Sequence, residues 1–259
     1  MAKSKPVSGD IIVIADTQVT PSAPTRHIQA IARYIWKHKP KAIVHIGDHW
    51  DFESLSSYAP LLEREGRRLK DDLIAGARAL DIIKDYIDLK NKKGKGKVYR
   101  PEMHFIMGNH ENRLARFVED HPALWGIIDL REMIEMAGWT VHEFKQPFWM
   151  DGIAFNHYME NPQSGRPVGG SIENKLNKFP HSFVHGHQQQ FQFGRRQNLQ
   201  GKPHFGVCAG SFYMHDEAYR GANNTEIRGF VHLHAFVNRY DFQDYDVNFV
   251  SLERLLEQW

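Results

Sequence analysis

Short apolar runs alternate with longer stretches of helical spacing through the first half of the chain. Residues 11–15 (IIVIA) form a β-branched run bounded by Asp16, the pattern of a buried strand. Ile28, Ile31, Ala32, Ile35 and Trp36 then recur at helical spacing, with Ser22 or Thr25 as N-cap and Pro40 as terminator. A second strand, 42–46, runs into Gly47-Asp48, and Leu69, Leu73, Ala77, Leu80, Ile83 and Ile87 mark a helix over 67–89. A basic loop, 89–100, precedes a third strand, 103–107, which ends in Gly108-Asn109-His110. Strand, helix, strand, helix, strand predicts right-handed crossovers and a mostly parallel sheet.

The second half changes character. Helical stretches at 112–126 and 128–137 lead into short strands with tight turns. Segments 148–150 and 153–157 flank Asp151-Gly152, a two-residue hairpin signal, and further strands are expected at 182–184, 205–209, 231–240 and 247–252. The reading is an α/β sandwich in a single domain, 1–259, whose second sheet is largely antiparallel.

Composition narrows the class. A hydrophobic share of 41% with 25% charged residues is that of a soluble globular protein. No apolar run approaches the ~20 residues of a membrane span, so no membrane partner is expected. The opening MAKSKPVSGD lacks the apolar core of a signal peptide, and the lone Cys208 precludes an intrachain disulfide. Both point to a cytoplasmic protein. A net charge of +2 does not by itself announce a polyanionic partner. Sixteen histidines direct attention to metal ligands.

The polar residues fall where chemistry gathers in open α/β sheets, beyond the carboxyl ends of strands. Early strands end in Asp16-Thr17-Gln18, in Gly47-Asp48-His49-Trp50-Asp51 and in Gly108-Asn109-His110-Glu111. Later apolar runs end in Asn156-His157 and in His185-Gly186-His187. Each piece alone reads as a turn residue, a helix cap or a core histidine. Together, carboxylates, an amide oxygen and imidazoles suit a divalent cation of mixed O/N preference.

The series D-x-Q, G-D-x-x-D, G-N-H-E, a lone His and G-H-x-Q, spanning 16–189, resembles the calcineurin-like metallophosphoesterase superfamily, whose usual series has His where Gln18 and Gln189 stand. Segments 47–58, 108–113 and 164–169 further resemble phosphoesterases of tailed bacteriophages, some of which carry Gln in the first and last motifs. The resemblance implies a four-layer α/β/β/α sandwich with mixed sheets and a two-metal site. It implies that Asp48 bridges the ions, that Asn109, His157 and His187 complete one half, and that Asp16, Gln18 and Gln189 serve the other. It places His110 beside the scissile phosphate, with Asp51 orienting its ring.

Both departures from His fall on the same ion. An amide oxygen is a harder, weaker ligand than imidazole and favours Mn²⁺ or Mg²⁺ over Zn²⁺ or Ni²⁺. Mn²⁺ is therefore the first expectation for the two divalent ions, with Mg²⁺, Fe or Zn²⁺ as alternatives. Arg113 and Arg166 are candidates for phosphate contact, the alternative for each being a surface ion pair. His49 either touches substrate or supports Asp48. The protein-phosphatase branch of the superfamily has Arg after the second Asp of G-D-x-x-D, where this chain has Phe52.

The expected function is hydrolysis of a phosphodiester, of nucleotide or nucleic-acid type, or of a phosphomonoester, by water activated between two ions, in the host cytoplasm if phage-encoded. The rival is a nucleic-acid-binding accessory protein of the same fold with little turnover. The basic loop, Arg195-Arg196 and the late aromatics Phe191, Phe193, Phe212, Tyr213 and Tyr219 are the features that would serve nucleic acid. No expectation is drawn for oligomeric state.

Overall fold

Successive residues of the first strand face opposite layers. Ile12 and Ile14 pack under helices, while Ile11 and Val13 pack against a second sheet. That two-sided burial is why the run is apolar at every position. The computed structural model describes residues 9–56, 65–161, 163–197, 201–216, 225–238 and 243–259.

Four parallel strands, β1 (Ile11–Ile14), β2 (Ala42–His45), β3 (Glu102–Ile106) and β4 (Thr140–His142), lie side by side. The helices linking them are α1 (Arg26–His38), α2 (Leu69–Lys93), α3 (Asn109–Asp120) and α4 (Leu130–Met136). Ile28, Ile31 and Ile35 of α1 and Leu80 and Ile83 of α2 form the outer core. The carbonyl of Thr25 accepts the N–H groups of Ile28 and Gln29 at the start of α1. Lys39, left-handed at φ 49°, ends it just before Pro40, which cannot extend a helix.

The second sheet holds β5 (Phe148–Met150), β6 (Ile153–Asn156), β7 (Ser182–His185), β8 (Phe191–Gln197) and β9 (Pro203–Ala209), in the order β5-β6-β7-β9-β8. Phe155, Val184 and Val207 meet Val13 and Val44 between the sheets, and α5 (Ile172–Lys178) covers the far face through Ile172 and Leu176. The β5–β6 turn carries positive φ at both Asp151 (50°) and Gly152 (78°), the geometry that matches strand twist in a tight hairpin. Helices outside two mixed sheets make the four-layer α/β/β/α sandwich.

Three expectations change. The second sheet is not largely antiparallel: β6, β7 and β9 run parallel, because crossovers, one of them through α5, return the chain in the same direction. The late strands β10 (Gly229–Val237) and β11 (Gln243–Ser251) join the first sheet instead, β10 pairing antiparallel with β1. The C-terminal end of the run expected at 231–240 lies outside the described residues. Helix α2 continues to Lys93, so the basic segment is helical at its start. The short elements β4, β8, α5 and α6 (Leu252–Gln258) were not apparent from periodicity. In β8 the pattern is broken by Gly194, where a Cβ would come 2.9 Å from Leu176 of α5.

Candidate metal centre

The strand-end residues reach one cleft through unusual backbone. Nine described non-glycine residues have positive φ, and five are Asp16 (47°), Gln18 (38°), Asp48 (50°), His187 (66°) and Gln189 (56°). Such conformations persist only where surrounding structure enforces them, so strain is concentrated on the residues in the metal-motif positions. Two glycines allow close approach: a Cβ at Gly108 would lie 2.3 Å from Asp48 Oδ1, and one at Gly186 2.4 Å from Asp16 Oδ2.

Four donors converge in one half of the cleft. His157 Nδ1 lies 2.9 Å from the carbonyl of Ile46, which can only accept, so that nitrogen carries a hydrogen. The other nitrogen, Nε2, lies 2.8 Å from Asn109 Oδ1 and 3.3 Å from Asp48 Oδ2. His187 Nδ1 approaches the same Asn109 oxygen at 2.8 Å. One ligand atom each from Asp48, His157 and His187 lie within 4.8 Å of one another. These are candidate ligand atoms gathered at a common point, as a divalent cation requires.

The other half is oxygen-rich. Asp16 Oδ2 accepts the backbone N–H of His187 at 3.0 Å, whereas Asp16 Oδ1 and Gln18 Oε1 are buried without a hydrogen-bond partner. Orphaned buried acceptors are costly, and a cation beside them would satisfy both. Gln189 Oε1 accepts from the Tyr213 hydroxyl at 3.0 Å, which fixes the amide.

Electrostatics follow from the crowding. Burial pushes the Asp16 carboxyl up to about 7 although His157 pulls it down, and Asp48 adds to the rise. Asp48 is buried too, yet His110 and His157 hold it well below the usual carboxylate range. Burial depresses the His110 ring, but Asp48 and Asp51 outweigh it and push it up to about 9. His157 rises to about 9 against burial through Asp48 and Asp16, while burial and the neighbouring His157 lower His187 to about 4.

His110 sits between two carboxylates. Its Nδ1 is 3.3 Å from Asp51 Oδ1 and 3.2 Å from the Trp50 carbonyl, and its Nε2 is 3.7 Å from Asp48 Oδ2. Arg113 donates to the carbonyls of Asp51 (3.0 Å) and Phe52 (3.4 Å), bracing the same turn.

The residue that joins the two central motifs is Glu111, to which no role had been given. Its carboxylate accepts the N–H groups of Gly108 (2.7 Å), Asp48 (2.9 Å), His49 (2.8 Å) and Trp50 (3.2 Å). A Glu three residues past a helix N-cap is a capping-box position, so the signal was present in the sequence.

Other candidates lie elsewhere. His49 is not at the cleft: its ring is buried, with Nδ1 2.7 Å from Thr17 Oγ1 and Nε2 2.9 Å from the Gly76 carbonyl of α2. Arg166 is exposed on the loop after His157, and no contact joins its side chain to the cleft residues. Arg195 is paired with Asp244 at 3.0 Å and Arg196 with Asn177, so neither is free to track a phosphate backbone. Phe212 and Tyr213 are buried, Phe191 stacks on Phe249, Phe193 is exposed, and Tyr219 lies outside the described residues.

No curated protein matches the sequence. Among solved structures the chain is similar to Vps29 of Chaetomium thermophilum (10% identity, TM-score 0.38, covering 95% of this chain and 97% of that one). It is similar as well to the phosphoesterase Yfce of E. coli (11%, 0.38, 94% and 99%) and a dimetal phosphatase of Danio rerio (10%, 0.43, 95% and 99%). A family model described as calcineurin-like phosphoesterase matches residues 9–207, which takes in every strand-end motif above. The chain therefore belongs to the calcineurin-like phosphoesterase family, as a metal-dependent hydrolase of phosphate esters with a centre for two divalent ions.

Proposed function

We propose that the chain hydrolyses a phosphodiester of nucleotide or nucleic-acid type, with Mn²⁺ as its working metal and Mg²⁺ as a weaker substitute. In this reading Asp48 would serve both ions, Asn109, His157 and His187 would hold one, and Asp16, Gln18 and Gln189 would hold the other. When bound, the ions would polarise the phosphoryl oxygens and acidify the attacking water. The resemblance to phage-encoded enzymes supports a nucleic-acid setting in a host cytoplasm.

The chain's own part is orientation and proton transfer. His110 is the proton donor to the leaving oxygen, and the observation that carries this role is its clamp between Asp51 Oδ1 (3.3 Å) and Asp48 Oδ2 (3.7 Å). With Nδ1 donating to Asp51 and the Trp50 carbonyl, Nε2 is left to face the cleft. Arg113 keeps Asp51 in place by bracing its carbonyl. Preference for a diester rests on Phe52, which is buried and stacked on Trp50 (5.9 Å between centroids) where a protein phosphatase would extend a guanidinium.

Wild type, Asp48→Asn and His110→Ala are compared on a chromogenic phosphodiester and its monoester analogue with Mn²⁺. The reading expects diester turnover by wild type, at least roughly 10²-fold less from His110→Ala, and almost none from Asp48→Asn. Equal signals from all three proteins, or turnover of the monoester alone, would sink it.

A further inference from the structure

At the opposite end of β1 from the dinuclear centre lies a second group of metal-ligating side chains that the phosphoesterase chemistry does not use. Asp10 precedes β1 and Asp16 follows it, so the two groups are roughly 20 Å apart at ~3.3 Å per strand residue. The partners of Asp10 are His232 and His234, two residues apart on β10 and hence on one face of the strand.

Their atoms are arranged as a coordination set. Asp10 Oδ2 lies 3.1 Å from His232 Nε2 and 2.9 Å from His234 Nδ1, and the three ligand atoms fall within 4.8 Å of one another. Asp10 Oδ1 is occupied by the backbone N–H of Ala235 at 3.0 Å, which fixes the carboxylate and turns Oδ2 towards both rings. His232 Nδ1 is 2.9 Å from the buried Tyr34 hydroxyl. As a ligand through Nε2, His232 donates its Nδ1 hydrogen to that oxygen, the outer hydrogen bond that orients metal-bound imidazoles.

We propose that Asp10, His232 and His234 form a third metal site, one that takes a single Zn²⁺. Two imidazoles and one carboxylate are a zinc donor set that leaves a coordination position for water. The open side is that of His234, whose side chain is 41% exposed, whereas His232 is enclosed. A bound ion ties Asp10, just ahead of β1, to the neighbouring strand β10 of the same sheet.

Zn²⁺ is the probe. Wild type and His234→Ala are dialysed to equilibrium against Zn²⁺ and their ion contents compared, so that uptake by the dinuclear centre cancels. The proposal expects the variant to hold one ion fewer per chain, with Mn²⁺-supported phosphoesterase turnover unchanged. Crystals of wild type soaked in Zn²⁺ and measured on both sides of the zinc absorption edge give a readout that needs no variant. An anomalous peak about 2.0–2.2 Å from Asp10 Oδ2, His232 Nε2 and His234 Nδ1 is expected. Equal ion contents, or no peak at the cluster, overturns the proposal and leaves a carboxylate shared by two ring N–H donors.

Discussion

His157 Nε2 and Asn109 Oδ1 face each other across 2.8 Å at the centre of the cleft. The Ile46 carbonyl fixes a hydrogen on His157 Nδ1, so Nε2 carries the second proton while the ring is charged and offers a lone pair once that proton is lost to a cation. That contact is stable only with a shared proton or a cation between them. Asn109→Ala is accordingly expected to weaken divalent-ion binding roughly 10–100-fold, the range for losing a supporting ligand contact. Calorimetric titration with Mn²⁺ reads it, and undiminished affinity would remove Asn109 from the ligand set.

Glu111 holds four backbone N–H groups from two separate loops. Glu111→Gln puts an amide NH₂ against donors that need an acceptor, so stability should fall by about 3–5 kcal/mol. At roughly 2–4 °C per kcal/mol for a chain of this size, Tm drops by about 10 °C. A shift within a degree or two would show that the loops hold themselves.

Gln18 Oε1 is buried with no partner, so an imidazole there replaces an unsatisfied oxygen with a softer donor. Gln18→His is expected to raise the Zn²⁺-to-Mn²⁺ activity ratio by roughly tenfold. The measurement is diester turnover across a metal series, and an unchanged ratio would argue against Gln18 as a ligand.

The pH dependence of stability has a source well outside the cleft. Burial, then the charges of His215, His49 and Arg26, lowers His27 from 6.5 to about 4, so the folded protein keeps it neutral where the unfolded chain protonates it. Its contribution is complete above pH 6.5 and is lost as pH falls towards 4. From neutral pH to about pH 5 the loss is about 2 kcal/mol. Only wild type should lose that increment, so the difference in unfolding free energy between it and His27→Leu, read from urea curves, shifts by about 2 kcal/mol over that range, and parallel curves would assign the loss to other groups.

The central strands and the motifs at their ends were legible because they depend on local signals. A fully apolar run ending in Gly-Asp or Gly-Asn announces both a buried strand and a sharp exit from it. Strand pairing was not legible: β10 alternates apolar residues with His232 and His234, and nothing within it says which sheet it will join. The partnership follows from Val231 and Leu233 meeting Ile11 and Val13 between the sheets, a relation across more than 200 residues. His49 was misjudged for a similar reason. It is adjacent to Asp48 in the chain, but its ring turns under the sheet to Thr17 and Gly76, whose positions only the fold supplies. Glu111 was overlooked although its spacing from Gly108 was plain, since its four partners are main-chain atoms and leave no trace in side-chain identity.

Under the proposed ligand set, the left-handed backbone at Asp16, Gln18, Asp48, His187 and Gln189 sets thermostability and metal binding against each other. A non-glycine residue in that region costs on the order of 1–3 kcal/mol, and glycine relieves it without moving the chain. Selection for heat resistance alone would favour glycine at these positions and so strip the cleft of its donors one by one. Variants recovered for tighter metal binding should retain all five side chains and gain their stability elsewhere in the sandwich.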